Sequence, residues 1–294
     1  MNQNGFPAMT ATLPRAIDAL SDISGDYDVI LCDVWGVLHN GIDASLPAAS
    51  ALESARNAGK AVVLITNAPR VAAEVEKGLG VIGVPRSAWD RLVTSGDVTR
   101  ALIAEGARRV FYLGPDRDQT ILDGLDVELV EEFEAQAVVC TGLVDDDAET
   151  PDDYAEMLRR FRARDLPFIC ANPDIVVERG DKLVWCAGAL ARDYAQLGGR
   201  TLIAGKPHRP IYDAALSAAA EVLGRPASVS RVLAIGDGIL TDVKGAAASG
   251  IDVLFVTAGI HAAEYGGAEA DPARLAEFLD RHGMEPLATM PRLR

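Results

Sequence analysis

Cysteines are few in this chain, and basic side chains are outnumbered. The four cysteines (Cys32, Cys140, Cys170, Cys186) form no C-x-x-C pair. That excludes a disulfide framework and a structural zinc site, and reads as reduced, buried thiols in a cytosolic protein. Lys and Arg number 28 against 43 Asp and Glu, a formal charge of −15. Such a surface repels phosphate backbones and anionic lipid, so no nucleic-acid or membrane partner is expected. No apolar run reaches the ~18 residues that a membrane span needs. The opening MNQNGFPAMTATLPRAIDAL has no apolar stretch behind a basic start, so no signal peptide is expected and the cytoplasm is the expected location. The G-x-x-x-x-G-K-[ST] loop and the G-x-S-x-G elbow are missing too, and nothing recommends a nucleophilic serine. GLGVIG (78–83) matches the dinucleotide spacing, but a helical pattern precedes it and Pro85 closes it. Gly78 or Gly80 is the expected helix stop.

What is present is alternation. YDVILCD, AVVLITN, RVLAIGD and IDVLFVT are short apolar runs rich in β-branched residues, separated by Ala-rich helical stretches such as HRPIYDAALSAAAEVLG. Continuous apolar strands, each followed by a helix, predict a parallel sheet covered on both faces. Ligands of such sheets gather at the carboxyl ends of the strands. Those ends carry Asp33, Thr66-Asn67 and Asp237.

Residues 87–199 repeat the pattern on their own, with RRVFYLG, AQAVVCTG, LPFICANPD and KLVWC. They are read as a second α/β domain inserted into the first, leaving 1–86 and 200–294 as the core domain. Within the insert, Thr150 suits an N-cap and Pro151 the first helical position, while Asp152 and Asp153 favour the positive end of the helix dipole.

Four segments have a shared chemistry: DVWGVLHNG (33–41), LITNAPR (64–70), AGKPHRPIY (204–212) and IGDGILTDVKGAAASG (235–250). Transfer of a phosphoryl group needs a nucleophile, a divalent cation against charge repulsion, and a lysine and hydroxyl for the equatorial oxygens. Asp33 and Asp237 are the candidate Mg²⁺ ligands, oxygen donors for a hard cation. Thr66 and Lys206 are the candidate phosphate holders, and Asp242 orients the metal shell.

In this combination and order the segments resemble the four motifs of the haloacid dehalogenase (HAD) superfamily. The insert between TNAPR and GKP resembles its class IIA, the sugar-phosphatase-like branch, as do VTSGDVTRAL and ANPDIVV. The resemblance spans all but about the first 20 and last 10 residues. It implies a Rossmann-like parallel-sheet core with an inserted α/β cap, and a Mg²⁺-dependent phosphatase of small phosphorylated metabolites. It also implies that Asp33 forms an aspartyl-phosphate. Metal ligands are then Asp33, Asp237, Asp242 and the main-chain carbonyl of Trp35. Gly36, Asn67, Asn172 and Asp174 are the expected substrate-binding positions, the last two at the cap–core seam. Substrate identity is open, and a homodimer is compatible with the sequence.

One position departs from the pattern. The third residue of the first motif is usually a second Asp, the general acid and base, and here it is Trp35. Positioned acid–base help is worth about 10²–10⁴ in rate. Either the leaving group needs no proton, or another residue supplies it, or the protein binds a phosphorylated ligand in a regulatory role without turnover. His208, two residues after Lys206, is the leading stand-in, ahead of His39 and His261. Trp35 itself is read as an aromatic plug against the cap, able to stack on a substrate.

Overall fold

The computed structural model describes residues 13–179 and 182–294, so the opening segment through Ala11 and Thr12 lies outside the described residues. The core sheet has seven strands: β1 (Arg15–Ala16), β2 (Val29–Asp33), β3 (Ala61–Thr66), β4 (Arg91–Thr94), β12 (Val232–Gly236), β13 (Asp252–Val256) and β14 (Ala288–Met290). Their order is β1-β14-β13-β12-β2-β3-β4 and every pairing is parallel. The chain runs outward from β2 to β3 and β4, then outward on the other side from β12 to β13 and β14. The strand order therefore reverses between β2 and β12, where Cys32 pairs with Ile235. A parallel sheet leaves a crevice at such a reversal, and Asp33 and Asp237 stand at its rim.

The apolar runs of β2 and β3 are buried along their whole length because both faces of the sheet are covered. One face packs Ile30, Leu52, Leu64 and Trp89; the other packs Leu31, Val63, Ile211 and Phe255.

The second sheet is also parallel, ordered β11 (Thr201–Ile203), β8 (Phe168–Cys170), β7 (Ala137–Cys140), β5 (Arg109–Leu113), β6 (Glu128–Leu129). An antiparallel hairpin, β9 (Val176–Arg179) with β10 (Lys182–Trp185), stands apart from it. This unit has its own apolar layers, Phe161, Phe168, Leu190 and Tyr194 on one side and Ile103, Val110, Val139 and Ile169 on the other. Each such buried side chain contributes about 1.5–3 kcal/mol, which is why the insert packs around a core of its own. The seams differ from the expected 86/87 and 199/200. Strand β4 pairs with β3 in the core sheet, and β11 pairs with β8 in the cap sheet. The chain leaves the core after helix Ser95–Ala104 and returns through Ala204 and Gly205, which lead directly into Lys206.

Two local readings resolve differently. Asp153 accepts hydrogen bonds from the Thr150 main-chain N–H and hydroxyl, at 2.8 and 3.0 Å, at the start of the expected helix. Gly78 and Gly80, by contrast, lie inside helix Ala72–Ile82, and the stop is Gly83, with φ +94°. All four cysteines are free and buried.

Candidate active site

At the crevice, Asp33, Asp237 and Asp242 bring one carboxylate oxygen each to within 4.8 Å of the others. Asp33 ends β2 and Asp237 follows β12. Asp242 sits in a π-helical turn, Ile239–Val243, whose wide winding carries its carboxylate back to the Gly238 N–H at 3.1 Å. The Ile260 N–H donates to Asp237 at 2.9 Å. Gly36, with φ +83°, lies so close to Asp237 that a Cβ would fall 2.1 Å from Oδ2. Only glycine fits there.

Lys206 completes the cluster. Its Nζ lies 2.6 Å from Asp33 Oδ1 and 2.7 Å from Asp242 Oδ1, and the residue is 2% exposed. Burial opposes its charge, but Asp242, Asp33 and Asp174 outweigh that and hold the ammonium well above its usual range. Burial and the Asp242 charge push the Asp33 carboxyl up, with Lys206 opposing. Burial and Asp242 likewise push Asp237 to about 7. Three buried carboxyl groups thus stand around one ammonium that bonds two of them, a cluster of hard oxygen donors. That donor set fits a divalent cation such as Mg²⁺ or Ca²⁺.

Asn67, an expected substrate contact, has another task. Its Oδ1 accepts from the Lys206 N–H at 2.7 Å, and its Nδ2 donates to Asp174 at 2.8 Å and to the Lys206 carbonyl at 3.2 Å. With its amide spent, it braces the lysine loop. Asn172 likewise accepts from the Asp174 N–H at 3.1 Å and lines the seam. Thr66 Oγ1 accepts from the Ala68 N–H at 3.3 Å and keeps its own proton to donate. These groups open on a cleft of about 740 Å³ walled by Asp33, Gly36, Thr66, Lys206, Asp237 and Asp174 among others.

His208 does not join them. It precedes helix Arg209–Leu223 with its side chain on the exposed surface, away from the cleft walls. Partial desolvation by the surrounding chain, then the Lys244 charge, lower its pKa. Two other histidines face the cleft. His39 accepts the Gly41 N–H at Nδ1, 2.9 Å, and burial lowers its pKa to about 4. His261 accepts from the Ile239 N–H at Nε2, 3.3 Å, and its Nδ1 is 2.9 Å from Glu264. The first is neutral with its proton on Nε2; the second holds the π-helical turn. Trp35 stacks edge-on against His39 at 4.9 Å, and its indole N–H donates to the main-chain carbonyl of Glu178 in β9. The plug reading holds, and its anchor is the cap hairpin.

A carboxylate and lysine cluster at the switch point of a parallel sheet, under an inserted α/β cap, defines a capped α/β hydrolase. Residues 30–128 match the haloacid dehalogenase-like hydrolase family and residues 203–281 the HAD-hydrolase-like family. A solved haloacid dehalogenase-like hydrolase from Brucella suis 1330 is 57% identical, covering 95% of this chain and 100% of its own, with TM-score 0.87. The chain belongs to the haloacid dehalogenase-like hydrolase family. A possible sugar phosphatase from Cytophaga hutchinsonii shares the fold at 20% identity, 94% and 97% coverage and TM-score 0.78. The 4-nitrophenylphosphatase of Thermotoga maritima is 25% identical over 90% and 94%, with TM-score 0.65. No curated protein matches the chain. Among the described residues, no helix is long and apolar enough to cross a membrane.

Proposed function

We propose that this protein is a Mg²⁺-dependent phosphoric monoester hydrolase of small phosphorylated metabolites, working through an aspartyl-phosphate on Asp33. The observation that carries this reading is Lys206 bridging Asp33 and Asp242 beside Asp237. The ion pair with Lys206 opposes the burial and the Asp242 charge that push the Asp33 carboxyl up. Asp33, Asp237, Asp242 and the Trp35 carbonyl are the proposed metal ligands. Bound there, the cation offsets the negative charge of the phosphoryl group.

Asp33 Oδ attacks phosphorus, a new O–P bond forms, and the ester O–P bond breaks with its electron pair leaving on the alkoxide. Water then attacks phosphorus, which releases phosphate and restores the carboxylate. Lys206 and the Thr66 hydroxyl hold the equatorial oxygens, and Asn67 fixes the lysine loop. Asp33→Asn should abolish turnover across a panel of phosphate esters with unchanged circular dichroism, because an amide does not attack phosphorus. Turnover retained in the purified variant would remove Asp33 as nucleophile.

One observation favours a second reading, a binder without efficient turnover. Trp35 offers no carboxylate, His208 lies outside the cleft, and His39 is neutral with no basic nitrogen free. A protein that binds phosphorylated ligands tightly but cleaves none of them would establish it.

A further inference from the structure

A second crevice opens where the two sheets face each other. It measures about 270 Å³, and it joins the cleft along Trp35, His39, Thr66 and Asp174, which wall both. Its far wall comes from segments that follow the cap strands: Arg117 and Asp118 after β5, Asp146 after β7. Arg70 enters from the core, after β3, and Arg179 from β9. The carboxyl ends of both parallel sheets thus meet at one place, and that end is where such sheets hold ligands.

Three guanidinium groups here rest on two carboxylates, Asp118 buried and Asp146 partly so. Arg70 Nε is 3.1 Å and Arg117 Nε 3.9 Å from Asp118, while Arg117 and Arg179 (2.8 Å) both reach Asp146 Oδ2. The aspartate side chains are 6% and 11% exposed, the arginines 34–49%. Asp147, which also pairs with Arg179, is 67% exposed and outside the pocket walls, so solvent screens that pair. Among the described residues, Arg70 Nη1 and Nη2 and Arg117 Nη1 have no hydrogen-bond partner. A network that merely tied cap to core would not need the spare donors. In a chain of net charge −15, three arginines gathered on one pocket bring its walls locally to balance.

We propose that this pocket receives the leaving group of the substrate, and that Arg70, Arg117 and Arg179 select one bearing a carboxylate. The inference rests on the hydrolase reading above. The pocket walls set Arg70, Arg117 and Arg179 against Asp118, Asp146 and Asp174, a balance that a singly charged carboxylate disturbs less than a second phosphate dianion would. The planar guanidinium fork matches carboxylate geometry, and the volume suits a short acid. Asp118 and Asp146 are positioning residues that fan the arginines toward the pocket.

The test compares wild-type protein on matched esters: glycerol 3-phosphate with 3-phosphoglycerate, and phenyl phosphate with 4-carboxyphenyl phosphate. The carboxylate member of at least one pair should have the higher kcat/KM, by about tenfold or more, the scale of a charged hydrogen bond. Arg117→Gln with Arg179→Gln should bring that ratio toward one. Equal kcat/KM within both pairs overturns the pocket and leaves the hydrolase standing. If no ester is cleaved, calorimetric affinity decides: a preference for the carboxylate member supports the pocket while the hydrolase reading falls, and equal or absent binding overturns the pocket as well. Fructose 1,6-bisphosphate preferred over both carboxylate esters would also overturn it, in favour of a second phosphate.

Discussion

The indole N–H of Trp35 donates to the main-chain carbonyl of Glu178, which ties the loop after β2 to the cap hairpin. Gly41, at φ +90°, comes so close that a Cβ would lie 2.6 Å from the indole ring. The residue that replaces the expected general acid is therefore held by the cap on one side and packed by its own loop on the other.

Lys206 is the first place to test the cluster. Its ammonium is nearly inaccessible and serves two carboxylates. Lys206→Met should destabilise the metal-free protein by about 3–5 kcal/mol, the cost of leaving buried charge unpaired. Millimolar Mg²⁺ should recover part of that loss, since a second cation then faces the same oxygens. Denaturant melts with EDTA and with Mg²⁺ check this. Equal losses in both would place the metal elsewhere.

Metal alone should also report on the site. Mg²⁺ binds the folded carboxylate cluster and not the unfolded chain, so it should raise the wild-type Tm by a few degrees, about 2.7 kcal/mol at 100-fold excess over Kd. Asp237→Ala should erase that shift. A wild type indifferent to millimolar Mg²⁺ would contradict the proposed ligand set.

The parts of this site that were legible in the sequence were those written into strand ends. A buried parallel strand reads as an unbroken apolar run, so the polar residue that ends it stands out, as Asp33, Thr66 and Asp237 do. Strands β4 and β11 were harder. Nothing in RLVT or TLI says which sheet they join, because pairing is a matter of where the chain crosses between units. His208 follows Lys206 by two residues along the chain, but it is exposed and is not among the cleft walls. Arg70, Arg117 and Arg179 were missed altogether. They are spread over about a hundred residues, and each resembles any surface arginine until the two sheets bring them together. The one available signal was their position just after or within predicted strands.

Away from the site, Asp28 precedes β2 and accepts from Arg231 at 2.7 Å and Arg225 at 2.9 Å. Those hydrogen bonds, chiefly that of Arg231, hold its carboxyl well below the usual carboxylate range. A depressed pKa stabilises the fold above the unfolded value of about 3.9, and that contribution is lost as pH falls through the folded pKa. Asp28→Asn should therefore lower Tm modestly at pH 7, with the difference from wild type shrinking as the pH is taken below ~3. A difference that grew toward acid would reverse the sign and exclude this pairing as its cause.

Trp35 decides what kind of hydrolase this is. Without a positioned acid, wild-type rates should depend steeply on leaving-group pKa, so acetyl phosphate and p-nitrophenyl phosphate should be cleaved far faster than a sugar phosphate, whose alkoxide needs a proton. Trp35→Asp places a carboxylate where the first motif leads one to expect it and should speed the sugar phosphate selectively, by up to ~10²-fold, within the range of acid–base catalysis. The same change removes a large ring and frees the Glu178 carbonyl, so part of its effect comes from packing and from a loosened hairpin. Trp35→Ala carries those losses without the carboxylate. Trp35→Phe keeps most of the ring and drops only the N–H donor. A gain in Asp alone assigns the deficit to missing acid catalysis. Gains of similar size in Asp, Ala and Phe would show instead that the contact with Glu178 holds the cap closed and limits turnover. A wild type that already cleaves sugar phosphates quickly would require a proton donor other than His208, whose side chain does not reach the cleft.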